Sequence, residues 1–463
     1  MRKNDIFERV KRVHIIGIGG IGVSGLAYIL LKEGKIISGS DTNLTPITKA
    51  LEKKGVKIFS PQREENITKD IELIIYSQAI FPDNPEYKKG KQLKIPMMSY
   101  PEGVGAIMKN KRGITISGTH GKTTTSALVV HLLKKNKLSP SFLVGGKIIG
   151  LGNSGVGKSD FLVVEGCEYK RSFLNYSPEI AVLTNIEKDH LDYYYDIREI
   201  KSAFWEFCNN VKKDGFIVYC NEDKNVVEVV KKVKREKISY GFENGDFTGR
   251  NIVIKKGRTE FDCYFKGKKI SHLKLKIWGK HNVLNSLACI AVGNIIGLPF
   301  GDIKKAVETF DGVHRRCEII GNEKGILIID DYGHHPTEIK ATLSTLKTVF
   351  PGRRLIVVFQ PHQYSRTRFL LKDFARSFSN ADKIVVPDIY FVRDSLKEKK
   401  LVNAEILVEK IRKNGKEALY LPTFEEIVEY LLEVLKVNDI VLTLGAGPVN
   451  LVGRELLEKL RGN

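Results

Sequence analysis

The sequence lacks most marks of a secreted, membrane-anchored or disordered chain. Its six cysteines (Cys167, Cys208, Cys220, Cys263, Cys289 and Cys317) lie far apart, and no CxxC pair occurs. In a chain of 463 residues this argues against a disulfide frame or a zinc site. It favours free thiols in a reducing compartment, hence a cytoplasmic protein. There is no internal repeat, low-complexity tract or Pro-rich linker. One uncharged stretch, Ile15 to Leu31 after Lys11 and Arg12, imitates a signal or membrane segment. Five glycines fall inside it at a spacing that suits a nucleotide turn, so no membrane association is expected.

Acidic residues are also in short supply. Against 75 Lys+Arg stand 54 Asp+Glu, a net charge of +21. A nucleic-acid partner is one reading of that excess. The lysines, however, are spread along the chain, often beside Glu, with no long basic tail or RGG-like run. That distribution suits a Lys-rich chain handling anionic small substrates, and no nucleic-acid partner is expected. Hydrophobic content of 42% with 41 Gly is ordinary for a globular α/β protein.

What is present centres on Gly118 to Thr125, GTHGKTTT. The β-branched run Gly113 to Ser117 before it reads as a buried strand, and Thr124 to Leu133 after it as helix. Strand, Gly-rich turn, Lys-Thr and helix make a phosphate-binding loop. Gly118 and Gly121 let the backbone aim its N–H groups at phosphate, Lys122 reaches the β/γ phosphates, and Thr123 offers a hydroxyl to Mg2+. The common spacing G-x-x-x-x-G-K-[ST] is not met, because Ile116 stands where it needs Gly.

Around this loop the chain divides into three units. In the first, residues 1–103, a strand at Val13 to Ile16 leads into Gly17-Ile18-Gly19-Gly20-Ile21-Gly22 and a helix to about Leu31. A strand at Lys35 to Gly39 ends at Ser40-Asp41, the acid of a dinucleotide fingerprint. NAD, FAD or the diphosphate of a UDP-sugar would each fit such a helix N-terminus. Further apolar runs at Glu72 to Tyr76 and Met97 to Tyr100 complete a Rossmann-like unit.

In the second unit, residues 104–312, the strand Asp160 to Val164 delivers Glu165 opposite Thr123, and Ile180 to Leu183 leads to Thr184 and on to His190. These two strand ends place Glu165 and His190 as candidate metal ligands. Residues from Ile238 to Trp278 alternate like antiparallel hairpins, with breaks at Lys256-Gly257 and Lys266-Gly267. Gly279-Lys280-His281-Asn282 then opens a helix to about Ile296, with Asn282 either its cap or a base-recognising amide.

The third unit, residues 313–463, follows a connector with paired arginines, Arg315 and Arg316. Strands at Ile326 to Ile329, Leu355 to Phe359, Lys383 to Val386, Ala418 to Leu421 and Ile440 to Leu444 alternate with helices in a second doubly wound unit. Polar clusters at Asp330 to Pro336, Gln360 to Arg366 and Gly445 to Gly447 sit at its strand ends, as a substrate pocket requires.

With these motifs in order, the chain resembles the Mur ligases nearly end to end. The resemblance rests on HIIGIGGIGVSGLA, SGSD, GTHGKTTT, EGCEYKRSF, TNIEKDHLDYY, GKHNVLNSLA, GVHRRCE, DDYGHHPTE and FQPHQYSRTR. It implies an α/β protein of three domains: a Rossmann-like UDP-sugar domain, a central P-loop ATPase with a mixed sheet and small hairpins, and a Rossmann-like amino-acid domain. It implies that ATP phosphorylates the lactyl carboxylate of UDP-N-acetylmuramate and that the amine of L-alanine attacks the acyl phosphate, in peptidoglycan precursor synthesis, by a monomer or homodimer.

By the same resemblance Gly118, Thr119, Gly121, Lys122, Thr123 and Thr124 bind ATP, with Asn282 facing adenine and Asp331 the ribose. Lys122, His190 and Arg316 are the catalytic set. Two Mg2+ are implied, held by Thr123, Glu165 and His190. Gly19, Gly20, Gly22 and Asp41 line the UDP end, and His120 touches the muramoyl carboxylate. Tyr332, His334 and Arg366 form the alanine pocket, with Arg366 on the carboxylate.

Two departures stand out. Several Mur ligases place a carbamylated lysine on the second metal, where this chain has aromatics after Lys201. Glu165-Gly166-Cys167-Glu168 replaces a more acidic run, and Gln363 stands where some relatives have arginine. Within the family, a ligase that attaches a whole tripeptide to the same UDP-sugar shares most of these motifs. Outside it, the glycines from Gly17 to Gly22 would suit an NAD-dependent oxidoreductase, which leaves the phosphate loop unexplained. A nucleic-acid-binding ATPase is the third alternative.

Overall fold

The computed structural model describes residues 6–255, 257–392 and 394–462. Three sheets follow one another along the chain. The first contains β1 (Arg12–Ile16), β2 (Ile36–Ser40), β3 (Lys57–Phe59), β4 (Leu73–Tyr76) and β5 (Met97–Ser99). Its order is β3-β2-β1-β4-β5 and every pair is parallel. The order reverses beside β1, so the crevice for a ligand opens at the carboxyl end of β1, where the glycines lie. The stretch that imitates a membrane segment is the end of β1, the turn and the helix Ile21–Lys32. No helix among the described residues is long and apolar enough to cross a membrane.

The second sheet has ten strands: β6 (Arg112–Ser117), β7 (Ser141–Ile148), β8 (Gly152–Gly155), β9 (Phe161–Gly166), β10 (Ile180–Leu183), β11 (Phe216–Cys220), β12 (Glu236–Gly241), β13 (Phe247–Lys255), β14 (Arg258–Phe265) and β15 (Lys268–Leu275). Its order is β15-β14-β13-β12-β11-β10-β6-β9-β7-β8. The middle is parallel, and β13 to β15 pair antiparallel as the alternating pattern predicts. At Lys266-Gly267 both residues have positive φ, 46° and 79°, which suits a two-residue hairpin turn. Lys256, in the other expected break, lies outside the described residues.

The third sheet contains β16 (Glu318–Glu323), β17 (Ile326–Asp331), β18 (Leu355–Phe359), β19 (Lys383–Val386), β20 (Ala418–Tyr420) and β21 (Ile440–Leu444), in the order β16-β17-β21-β18-β19-β20. Five are parallel, and β16 adds an antiparallel edge. The alternation of buried apolar strands with helices therefore gives the α/β, parallel-dominated architecture expected of it.

Two features tie the first sheet to the second. The helix Tyr100–Lys109 runs from β5 into β6, so the division at 103/104 falls inside a helix. One apolar core also spans both sheets, with Val13, Leu26 and Ile75 in the same cluster as Leu143, Leu162 and Phe204. At Gly25 an added Cβ would lie 2.5 Å from Leu143 and 2.8 Å from Ser154, so the first helix packs its backbone directly on the β7–β8 hairpin.

Candidate active site

The strand β6 sits between β10 and β9, all parallel, so three loops leave the same edge side by side. The central one is the phosphate loop. Gly118 has φ 142°, and a Cβ there would lie 2.0 Å from Thr184 Oγ1, so only glycine fits. Gly121, at φ 78°, is the N-cap of the helix Lys122–Lys135. The loop after β10 fastens it from one side. Thr119 N donates to Asn185 O at 2.9 Å, His120 N to Asn185 Oδ1 at 2.8 Å, and Glu187 N to Thr119 Oγ1 at 2.8 Å.

The carboxyl end of β9 and the residues just beyond it approach from the other side. Thr123 Oγ1 donates to Glu165 Oε2 at 3.0 Å, and Gly145 N donates to the same oxygen at 2.8 Å. A hydroxyl and a carboxylate converging beside a phosphate loop are hard oxygen donors that fit Mg2+. Lys122 Nζ donates to Glu168 Oε2 at 2.9 Å, to Thr119 O at 3.2 Å and to Gly118 O. Burial works against its charge, but the surrounding acidic groups, Glu168 foremost, together outweigh it and hold the ammonium protonated. Glu168 is a site residue that the sequence motifs do not single out; its one signal is its place three residues beyond Glu165.

A cavity of about 580 Å3 opens between the second and third sheets, within the usual range for a small-molecule site. His120, Gly121, Thr124, Asn282, Arg316 and Asp331 all line it. Asn282 is not the helix cap. Gly279 holds that position, while Asn282 Nδ2 donates to Trp278 O at 2.7 Å and its Oδ1 accepts from Asn285 at 2.9 Å. Both paired arginines lie over the Tyr332 ring, Arg315 at 5.1 Å, but their ionic partners differ. Arg315 turns into the third sheet, donating to Asp330 Oδ2 at 2.8 Å, while Arg316 lies over the Tyr332 ring at 5.4 Å and 3.6 Å from Glu338 Oε1. Asp331 accepts backbone N–H groups from Cys317 (2.8 Å) and Gly333 (2.7 Å), which orients its carboxylate at the cavity wall. Burial raises that carboxyl, opposed by Arg316.

The remaining candidates lie deeper in the junction. His334 Nδ1 is 3.1 Å from Tyr332 O, and burial lowers its pKa to about 4. Arg366 Nε donates to Asp189 Oδ1 at 3.0 Å, and its guanidinium stands 3.3 Å from His362 Nδ1. His362 lies 5.9 Å from His334, ring to ring, and so links the two. Burial raises the Asp189 carboxyl, but Arg366 together with His190, His334 and His335 outweighs it and holds the group well below the ordinary range. Arg366 and His190 both line a second cavity of about 10 Å3, space for about one water. His190, at φ 54°, packs on Tyr169 at 4.7 Å and lies 3.8 Å from Asp189 Oδ2. Lys201 is held by Glu228 at 2.8 Å.

The glycine turn after β1 is simpler. Gly17 has φ 78°, Gly20 is the helix N-cap, and Asp41 Oδ2 accepts the Gly19 N–H at 2.8 Å. At Gly22 an added Cβ would lie 2.5 Å from Tyr100 Oη. The Tyr100 phenol is pushed up by burial and then by Glu165, so this tyrosine stands between the first turn and the candidate magnesium acid.

Family models match three successive stretches of the chain. The Mur ligase family catalytic domain matches residues 12–112, the Mur ligase middle domain residues 116–293, and the Mur ligase glutamate ligase domain residues 315–447. A UDP-N-acetylmuramate–L-alanine ligase of Caldanaerobacter subterraneus subsp. tengcongensis is 45% identical over 98% of each chain. The crystal structure of UDP-N-acetylmuramate-alanine ligase MurC from Thermotoga maritima superposes with a TM-score of 0.82 at 30% identity, covering 97% of this chain and 99% of that one. A murein peptide ligase from Psychrobacter arcticus shares the fold, with a TM-score of 0.73 at 24% identity over 97% of this chain and 99% of that one. With three family domains in sequence and a relative this similar over its whole length, the chain belongs to the Mur ligase family.

Proposed function

We propose that this protein uses ATP to join L-alanine to the lactyl carboxylate of UDP-N-acetylmuramate, in the cytoplasm, as a step of peptidoglycan precursor synthesis. The observation that carries the reading is the cavity walled by phosphate-loop residues on one side and by Arg316 and Asp331 on the other. A full-length relative named for that reaction supports it.

A carboxylate is a poor acylating agent in water, and a phosphate leaving group corrects that. The lactyl carboxylate oxygen attacks the γ-phosphorus and ADP leaves. The alanine amine then adds to the carbonyl carbon, and phosphate departs as the amide forms. Two anions must meet in the first step, so the residues that matter are cations. Lys122, released from Glu168, and Arg316, from the far wall, lie where charge on the transferring phosphoryl group can be met. Thr123 and Glu165 would hold one Mg2+ and His190 would contribute to a second; when bound, the ions neutralise phosphate charge. Asn282 and Asp331 are assigned to adenine and ribose, and Gly118, Thr119, Gly121 and Thr124 to the phosphates.

Residues 1–103, 104–312 and 313–463 are assigned to UDP-sugar, ATP and amino acid respectively. Gly19, Gly20, Gly22 and Asp41 take the UDP end, and His120 the muramoyl carboxylate. Tyr332, His334 and Arg366 take alanine, with Arg366 leaving Asp189 to share the substrate carboxylate. The test is phosphate release from ATP with Mg2+ and UDP-N-acetylmuramate, in separate wells with L-alanine, glycine, L-serine or the tripeptide. Release that requires both the UDP-sugar and L-alanine is expected. Release with the tripeptide alone would assign the protein to peptide recycling instead.

A further inference from the structure

Across the junction of the second and third sheets lies a cluster the reaction above does not use as a unit. Ligand atoms of His120, Glu187 and His335 fall within 4.8 Å of one another. His120 and Glu187 come from the loops after β6 and β10, and His335 from the loop after β17. His120 Nε2 is 3.5 Å from Glu187 Oε2, and His335 Nδ1 is 3.9 Å from the same oxygen. A tetrahedral zinc with ligands at ~2.0–2.1 Å needs them about 3.3 Å apart, so the two contacts to Glu187 would close with side-chain shifts of a few tenths of an ångström, while the two imidazoles, within 4.8 Å of each other, would have to swing further together.

The second layer is also in place. A metal-bound histidine characteristically gives its other ring nitrogen to a carboxylate or a backbone carbonyl, which fixes the tautomer and aims the lone pair. His120 Nδ1 stands 3.3 Å from Glu338 Oε1. His335 Nε2 is 3.2 Å from Lys188 O, which can only accept, so that nitrogen carries the proton and Nδ1 keeps its lone pair. Independently of the cluster's spacing, His120 Nε2 is buried without a hydrogen-bond partner. An orphaned buried nitrogen costs free energy unless something meets it. Two competitors are present: Thr337 Oγ1 donates to Glu187 Oε2 at 2.6 Å, and Thr337 N donates weakly to His335 Nδ1 at 3.3 Å.

We propose that His120, Glu187 and His335 form a binding site for a zinc-class divalent cation, separate from the oxygen-rich pair Thr123–Glu165. Two imidazoles and one carboxylate suit zinc, whereas magnesium prefers oxygen. Three protein ligands leave a fourth position open. Because the ligands come from two sheets, the ion fastens the amino-acid unit to the ATP unit. It also occupies the His120 nitrogen assigned above to the substrate carboxylate, so zinc at this site inhibits. The proposal stands apart from the reaction assigned above, since it is read out by metal uptake with no substrate present.

The experiment is a chelator-competition titration of Zn2+ into the full-length protein in excess Mg2+, beside Glu187→Gln and His335→Asn. The asparagine keeps a helix-capping side chain at that position, and circular dichroism checks that both variants fold. One Zn2+ per chain is expected, weakened about a hundredfold or more in each variant, since even losing an outer-layer partner costs tenfold to a hundredfold. Cobalt in its place should give the visible spectrum of a tetrahedral site. No zinc uptake by the unaltered protein would mean that only a proton occupies the His120 nitrogen. Equal affinity in both variants would place the ion elsewhere. Either result overturns the proposal.

Discussion

The turn after β1 and the turn after β6 share one plan, strand to glycines to helix, yet their surroundings differ. In the first, one acid from a neighbouring strand end, Asp41, accepts a backbone N–H of the turn. The helix behind it opens with Ile21 and has no acidic residue in its first turn. In the second, the helix opens on Lys122, and carboxylates close in from both sides: Glu165 near the end of β9 and Glu168 just beyond it, and Glu187 from the loop after β10, 3.5 Å from His120 Nε2. The first turn is built to offer N–H groups to an anion already carrying its charge. The second adds a cation, Lys122, which under the proposed mechanism would meet charge that develops during transfer.

The widest separation between the two turns is expected in turnover. Lys122→Ala should slow phosphate release about a hundredfold to a thousandfold with the fold intact, the scale of losing one transition-state donor. Asp41→Asn, which removes a turn-holding carboxylate, should chiefly raise the KM for the UDP-sugar. A Lys122→Ala loss below about tenfold would erase the distinction.

Backbone strain separates them next. Alanine at Gly118 meets Thr184 Oγ1 at 2.0 Å at a φ of 142°, and the conformation alone costs about 1–3 kcal/mol. At Gly20 the φ is −64° and the nearest atom is 3.5 Å from the added Cβ, so Gly20→Ala should stay within about 0.5 kcal/mol. Thermal unfolding of the two variants compares them directly. A smaller effect follows from a change that touches neither turn. Arg366→Ala should raise the KM for alanine about tenfold or more while leaving that for ATP nearly unchanged; equal shifts would place Arg366 elsewhere.

The smallest effect is in pH dependence at the second turn. Burial pulls His120 down, but Glu187 and Glu338 outweigh it and carry it up to about 9. A raised histidine contributes stability that is complete below its unfolded value of about 6.5 and is lost as pH rises through about 9. Burial likewise raises Glu187, but His120 outweighs it and takes it down to about 2, so its contribution is lost only as pH falls through about 2. Melting temperature should therefore decline between about pH 6.5 and 9, and His120→Ala should flatten that decline.

Much of this was legible in the sequence because it is local. Glycines before a helix, a Lys-Thr pair and short apolar strands carry their own signatures, and a run such as Leu355 to Phe359 (LIVVF) in β18 needs no partner to be recognised. The rest depends on residues far apart in the chain. The strand β16 is a half-exposed edge with a glycine in it, β3 has three residues, and neither shows a period. Glu168 becomes visible only when β9 is laid beside β6. His335 and Glu338 open a helix, His335 as the N-cap and Glu338 as the third helical residue. Their second role, facing His120, comes from the packing of one sheet on another, which no local pattern encodes.

The central claim is that the lactyl carboxylate is phosphorylated before the amine attacks. UDP-N-acetylmuramate carrying 18O in both oxygens of that carboxylate, turned over with ATP and L-alanine, tests it most directly. The expected result is one 18O atom in each released phosphate and one in the new amide. Unlabelled phosphate, with the second 18O released to water, would contradict it.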